Sequence, residues 1–177
     1  GVMVYARTAK MAAALSAQIQ AHGLQKEYFA VVQGCPAQEQ GILQDYLYHD
    51  KRKGKAFPVK SLRKGVKEAE LEYKCLASAP VQGSTASLVW VRLHTGRFHQ
   101  IRAQFAHAGH PLLGDGKYGK LDKRFDRNYQ ALYSYKLRFA FTTDAGSLNG
   151  LNGKYFQVDK VDFVEEYFPG FAIPKEK

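Results

Sequence analysis

Leu93-His94-Thr95-Gly96-Arg97-Phe98-His99-Gln100-Ile101-Arg102, followed by Gly109-His110-Pro111-Leu112-Leu113-Gly114-Asp115, carries most of the information in this chain. The run ahead of it, Thr85 to Leu93, is rich in β-branched and apolar residues and reads as a strand, which Thr95-Gly96 ends in a turn. A helix is expected next, over 98–108. Ile101, Phe105 and Ala108 recur at i, i+4 and i+7 as one buried face, Gly109 stands where a C′ glycine would, and Pro111 blocks continuation. Arg97, His99 and Arg102 are therefore expected on rigid elements at a strand-to-helix junction. Backbone N–H groups and the helix dipole favour an anion there.

Outward from this junction the pattern predicts a strand over 2–7, a helix over 9–22, and strands over 26–33, 41–48, 68–77, 84–94 and 131–141. Further strands are expected near 154–166. Thr8 is a suitable N-cap for the alanine-rich helix and Gly23 a suitable end. Gln82-Gly83-Ser84 and the pair Asn149-Gly150 and Asn152-Gly153 are hairpin-type turn signals. Residues 50–67 read as a basic loop, and 115–130 as an exposed connection rich in Lys, Arg and Asp. The expected class is α+β, a mixed, mostly antiparallel sheet flanked by helices, without internal repeats.

A chain of 177 residues suffices for one domain with a real core, so 1–177 is taken as a single domain. Its 26 Lys and Arg against 16 Asp and Glu give a formal charge of +10, which suits a polyanionic partner. The distribution sharpens that. Lys51, Arg52, Lys53, Lys55, Lys60, Arg63, Lys64 and Lys67 lie within seventeen residues that hold no acid. A single-sign loop repels itself, and a nucleic-acid backbone explains it better than stability does. Cys35 and Cys75 lack metal spacing and read as reduced thiols in or beside apolar strands. No apolar run approaches the ~20 residues of a membrane span, so a cytoplasmic setting and no membrane partner are expected.

The passage from Leu93 to Asp115 resembles the arginine-bearing motif of the RluA-type pseudouridine synthases, Leu-x-Thr-Gly-Arg-x-His-Gln-Ile-Arg followed by Gly-x-Pro and Gly-Asp. The match runs on through Lys117-Tyr118-Gly119. Lys26 to Gly34 resembles the family's strand Lys-x-Tyr-x-Ala-x-Val-x-Gly, and Glu68 to Tyr73 the strand after its central loop. Ala131 to Phe139 resembles its late Leu-His-Ala-x-x-Leu-x-Phe strand, with Tyr133 and Ser134 in place of His-Ala. The likeness covers residues 1–168. In the family the nucleophilic aspartate lies in a His-Arg-Leu-Asp segment, shortly before a Ser-Gly and an apolar strand. Gly1 to Thr8 resembles that strand from its glycine, and Glu27 is the first acid of this chain. The expectation is a catalytic domain incomplete at its N-terminus, without the nucleophile and inactive alone.

The resemblance implies isomerisation of uridine in ribosomal or transfer RNA, with no cofactor and no metal, by a monomer. Arg102 would pair with the reacting carboxylate and lower its pKa. Tyr28 would stack on the uracil and assist removal of the C5 proton. Arg97 and His99 would position phosphate or buttress Arg102, and Lys51, Arg52, Lys53 and Lys55 would grip the RNA backbone. Asp115 reads as a turn residue whose carboxylate takes nearby N–H groups. His94, His99, His107 and His110 cluster in sequence but lack the ligand spacing of a metal site. Two other readings remain open: a non-catalytic RNA-binding module, and a metal-dependent nuclease, for which the acids from Asp162 to Glu166 are the dense stretch.

Overall fold

The computed structural model describes residues 1–81, 83–119 and 129–175. Its centre is a seven-stranded sheet made of β1 (Leu24–Gln33), β2 (Gln40–Asp50), β3 (Lys55–Val59), β4 (Val66–Val81), β5 (Ser84–Leu93), β6 (Leu132–Phe139) and β7 (Tyr155–Gln157), in the order β3-β2-β4-β5-β1-β6-β7. Each pairing is antiparallel, so the sheet is more uniform than the mixed one expected.

Helix α1 (Ala9–Gln20) begins as expected, with the Met11 N–H donating to the Thr8 hydroxyl at 3.2 Å. Its end differs. The left-handed residue is His22 (φ 57°), not Gly23, which is needed for its size: a Cβ there would lie 2.8 Å from Gln18 Oε1 and 3.1 Å from the Phe141 ring. Helix α2 (Gln100–His107) lies on one sheet face. Ile101 and Phe105 pack with Ala30, Val32, Leu71, Val89, Val91 and Leu112, each large side chain contributing about 1.5–3 kcal/mol by burial. Gly109 has the expected left-handed backbone (φ 87°). The other face buries Phe29, Val31, Leu88 and Tyr135 against Phe163, Val164 and Phe168, from and beside α3 (Asp162–Tyr167).

Three expectations are corrected. Residues 2–7 form no strand, although the Val2 N–H donates to the Ser134 carbonyl at 2.7 Å. The basic run is not all loop, since β3 pairs Lys55–Val59 with the end of β2 at the sheet edge, where Pro58 is tolerated. The strands expected near 154–166 reduce to β7, and Asp162 to Glu166 lie in α3, where the acids of its first turn suit the helix dipole. The connection expected over 115–130 falls mostly on 120–128, outside the described residues, as does Gln82 of the expected turn.

A β-bulge interrupts the β1–β6 ladder. Glu27 pairs with Lys136 but Tyr28 with Ser134, leaving Tyr135 as the extra residue. The buried Glu27 carboxylate, only 6% exposed as a residue, accepts from Tyr135 Oη (2.8 Å) and Trp90 Nε1 (2.9 Å), with Arg92 at 3.5 Å. Burial and the Glu27 carboxylate drive the Tyr135 phenol far above its ordinary range.

Candidate active site

Two side chains hold the β5–α2 turn. The Thr95 hydroxyl accepts the Glu70 N–H and donates to Gln100 Oε1, both at 2.9 Å. Buried Gln100 also accepts the Arg97 N–H at 2.9 Å and donates through Nε2 to the Glu70 carbonyl at 3.0 Å. The Thr and Gln of the motif thus fasten the start of α2 to β4. His99, the N-cap, is left-handed (φ 51°) and makes no capping bond with its side chain. Its ring serves other neighbours: Nδ1 lies 3.1 Å from the Tyr118 hydroxyl and Nε2 3.3 Å from Arg102 Nη1. A guanidinium can only donate, so Nε2 accepts and the neutral ring carries its proton on Nδ1. Burial, then the charges of Arg102 and Lys117, hold His99 below the usual histidine range.

Arg102, whose side chain is 12% exposed, donates from Nε to Asp115 Oδ2 and from Nη2 to Asp115 Oδ1, both at 2.7 Å. Asp115, 2% exposed, also accepts the N–H groups of Lys117 (3.0 Å) and Tyr118 (3.1 Å), which is the turn geometry expected of it. Burial pushes its carboxyl upward, but Arg102 and the two backbone donors outweigh that and keep it below the ordinary value. Three of the five N–H groups of Arg102 are spent in this way. The other two have no partner among the described residues.

Tyr28 lies on the α2 side of β1 and packs against the cluster that contains Ile101 and Phe105. Burial raises its phenol above the ordinary range, opposed by a hydrogen bond with the Ser134 side chain. Among the described residues no hydrogen bond, ion pair or ring contact joins Tyr28 to Arg102; Tyr28 packs on the cluster of Ile101, the residue before Arg102. Arg97 reaches back to β4, with Nε donating to the Glu68 carbonyl at 2.7 Å. Lys51, Arg52 and Lys53 are exposed on the turn after β2, where Asp50 accepts the N–H groups of Arg52 and Lys53. Lys55 behaves differently from these three, with which its sequence position grouped it. Its Nζ donates to the Lys117 carbonyl at 2.6 Å and stands 4.9 Å from the Tyr118 ring centre.

Tyr118 is a site residue to which sequence reasoning gives no role. Its ring lies 5.1 Å from Arg102 Cζ and its hydroxyl accepts the Ala56 N–H at 2.7 Å, which ties the segment after Asp115 to β3. An aromatic shortly after the Gly-Asp turn was the available signal. The clustered histidines go to separate partners: His94 to Glu70, His107 to Asp45, His110 to the Gln33 carbonyl, and His99 as above. No group of three or more His, Cys, Asp or Glu among the described residues could hold a metal. A cavity of about 890 Å3 opens on the opposite sheet face, lined by His94, Glu70, Arg92, Gln44 and Tyr46, and neither Tyr28 nor Arg102 lines it.

Residues 1–107 match the model of the RNA pseudouridylate synthase family. A tRNA pseudouridine synthase C of Vibrio parahaemolyticus is 34% identical over 152 residues, which are 78% of this chain and 61% of that protein. A ribosomal large subunit pseudouridine synthase D of Zymomonas mobilis is 31% identical over 159 residues, 90% of this chain and 48% of that protein. The chain therefore spans about half to three-fifths of the length of these relatives. The structure of human RNA pseudouridylate synthase domain containing 1 superposes with a TM-score of 0.65 at 18% identity, covering 96% of this chain and 75% of the human one, a likeness of fold. The motif around Arg102, the antiparallel sheet that carries it and the match over 1–107 agree: the chain belongs to the RNA pseudouridylate synthase family, in its RluA-type branch.

Proposed function

We propose that this chain contributes the uridine-binding and arginine-bearing part of a monomeric, cytoplasmic enzyme that isomerises uridine to pseudouridine in transfer or ribosomal RNA. The observation that carries the reading is Arg102, a guanidinium oriented from behind by Asp115 and His99 with two N–H groups unspent among the described residues. Those two match the oxygens of one further carboxylate. The reaction breaks N1–C1′, turns the uracil and forms C5–C1′. Substrate and product hold the same atoms, so no co-substrate enters the balance. A carboxylate attacks, Arg102 keeps it ionised and aimed, and Tyr28 packs on the detached base and assists loss of the C5 proton. Asp115 is unfit as the attacking group, because its two oxygens already take four donors in a buried site. We assign the nucleophile to an aspartate outside residues 1–177, so turnover is expected of the parent polypeptide and not of this chain alone. No helix among the described residues is long and apolar enough to cross a membrane.

The test is tritium release from RNA labelled at uracil C5. The parent polypeptide should release label, and Arg102→Lys and Tyr28→Leu within it should slow single-turnover release by at least ~100-fold, the scale of one positioned catalytic group. RNA binding should persist. Near-wild-type rates for both variants, or release by residues 1–177 alone, refute the assignment.

A further inference from the structure

Tyr28 has a polar partner that packing on a base does not require. The ladder between β1 and β6 sets it directly opposite Ser134. Residues paired in this way share a face of the sheet, with Cβ atoms about 4.5–5.5 Å apart. Ser134 therefore stands on the α2 side, and its hydroxyl bonds the Tyr28 phenol, which has no other hydrogen-bond partner among the described residues. Both residues are only partly buried, so the pair is not sealed inside the core.

The fold does not call for that hydroxyl. The late strand that Ala131 to Phe139 resembles carries alanine where this chain carries Ser134, and a methyl group would fill the same space. Docking of the first residues on β6 uses the main chain, through the Val2 N–H and the Ser134 carbonyl at 2.7 Å, which alanine keeps. A Cβ on Gly1 would fall 2.7 Å from that carbonyl oxygen and 3.1 Å from Ser134 Cβ, so the chain already lies close here and a residue larger than serine has little room. What remains for the serine oxygen is the phenol.

On the reading that Tyr28 assists loss of the C5 proton, we propose that Ser134 is a positioning residue for that step: its hydroxyl holds the Tyr28 oxygen in one orientation, donating while that oxygen is a phenolate and accepting once it is a phenol. A hydroxyl both donates and accepts by turning its O–H, so one residue serves both states. In the step itself the C5–H bond breaks and its electron pair restores the C5–C6 double bond. N1 takes a proton from solvent, and the C5 proton passes to the Tyr28 oxygen and from there to water. Ser134 gains and loses nothing. Burial of Tyr28 opposes the phenolate, and the Ser134 donor works against that penalty. Without it, less of the reactive form is present at neutral pH.

The experiment compares the wild type, Ser134→Ala, Tyr28→Phe and the double variant, each as the parent polypeptide, by single-turnover tritium release from RNA labelled at uracil C5. Ser134→Ala should slow release about 10-fold at neutral pH, the low end for a hydrogen bond to a charged group, with RNA affinity and melting temperature unchanged. In the Tyr28→Phe background the same exchange should have no effect, because the oxygen it serves is gone. In the 177-residue chain, carbon NMR of the tyrosine ζ positions should find the Tyr28 phenol titrating at higher pH in Ser134→Ala than in the wild type. Wild-type rates for Ser134→Ala, an equal loss in both backgrounds, or an unmoved Tyr28 titration overturns the role of Ser134 and leaves that of Tyr28 standing. Wild-type rates for Tyr28→Phe refute the proton-transfer reading itself, and the role of Ser134 with it.

Discussion

Replacing Arg102 by Met is the obvious probe of catalysis, and the structure predicts that it will report on folding instead. Asp115 is buried and takes two of its four hydrogen bonds from Arg102 at 2.7 Å. Removing the guanidinium leaves a desolvated carboxylate with only the N–H groups of Lys117 and Tyr118. Breaking a buried pair from one side costs about 3–5 kcal/mol, and the remaining backbone donors place this site near ~3 kcal/mol on that scale. For a chain of this size that lowers the melting temperature by roughly 6–12 °C. Asp115→Asn should cost less, since an amide can still accept from the turn, and Arg102→Met combined with Asp115→Leu should recover much of the loss. Urea unfolding of the single and double variants gives the cycle. The pH dependence has a defined sign: the folded-state pKa of Asp115 is depressed, so its contribution is present above the unfolded value near 3.8 and is lost as pH falls below it through the folded value. A loss under ~1 kcal/mol for Arg102→Met, the range of an exposed pair, would show that the two groups are not coupled as described.

Replacing Lys51, Arg52 and Lys53 by Gln should weaken RNA binding and flatten its salt dependence, the logarithmic slope falling by about 0.9 for each duplex phosphate left unneutralised, measured as affinity against salt concentration. Lys55→Gln should in addition lower stability, because its ammonium closes on the Lys117 carbonyl; equal melting temperatures for the two sets of variants would count against that distinction. Nitrogen NMR of the histidine side chains should find His99 neutral at pH 6.5 with its proton on Nδ1. Its folded pKa lies below the ordinary 6.5, so protecting it contributes stability above that value that is lost as the solution is acidified. An imidazolium signal for His99 at pH 6.5 would contradict the hydrogen bond from Arg102.

Legibility followed sequence distance. Thr8 as a cap and Gly109 as a left-handed terminator depend on a few neighbouring residues, and both stand where the local pattern put them. β3 was hidden because Lys55-Ala56-Phe57-Pro58-Val59 carries a charge and a proline; only pairing with Tyr46 to Asp50 makes it a strand. Phe163 and Val164 read as strand residues, yet their burial comes from packing α3 on the far face. At the site, the motif located Arg102 and Tyr28 and offered His99 as a support of Arg102, but it did not give Asp115 as the partner that holds the guanidinium. Asp115 is thirteen residues from Arg102 and bonds it side-on. The His49–Phe98 stack joins residues forty-nine apart that no periodicity connects.

The extra residue in β6 changes what a substitution table for this strand should look like. Up to and including it, Tyr133 and Tyr135 stand on the Phe29 side; after it, the same odd-numbered rhythm delivers Leu137 and Phe139 to the other side, with Leu24, where Leu15 of α1 also packs. One strand with an unbroken alternation therefore furnishes two separate cores. Deleting Tyr135 would therefore turn nothing over: Tyr133 would stay opposite Phe29 and Leu137 opposite Lys26 in a regular ladder, and the loss would be the phenol that donates to Glu27. A change of length elsewhere in the strand does turn a side chain over: loss of Arg138 would set Phe139 opposite Gln25, on the face away from Leu24, so deletions should be tolerated at the bulge and not beyond it.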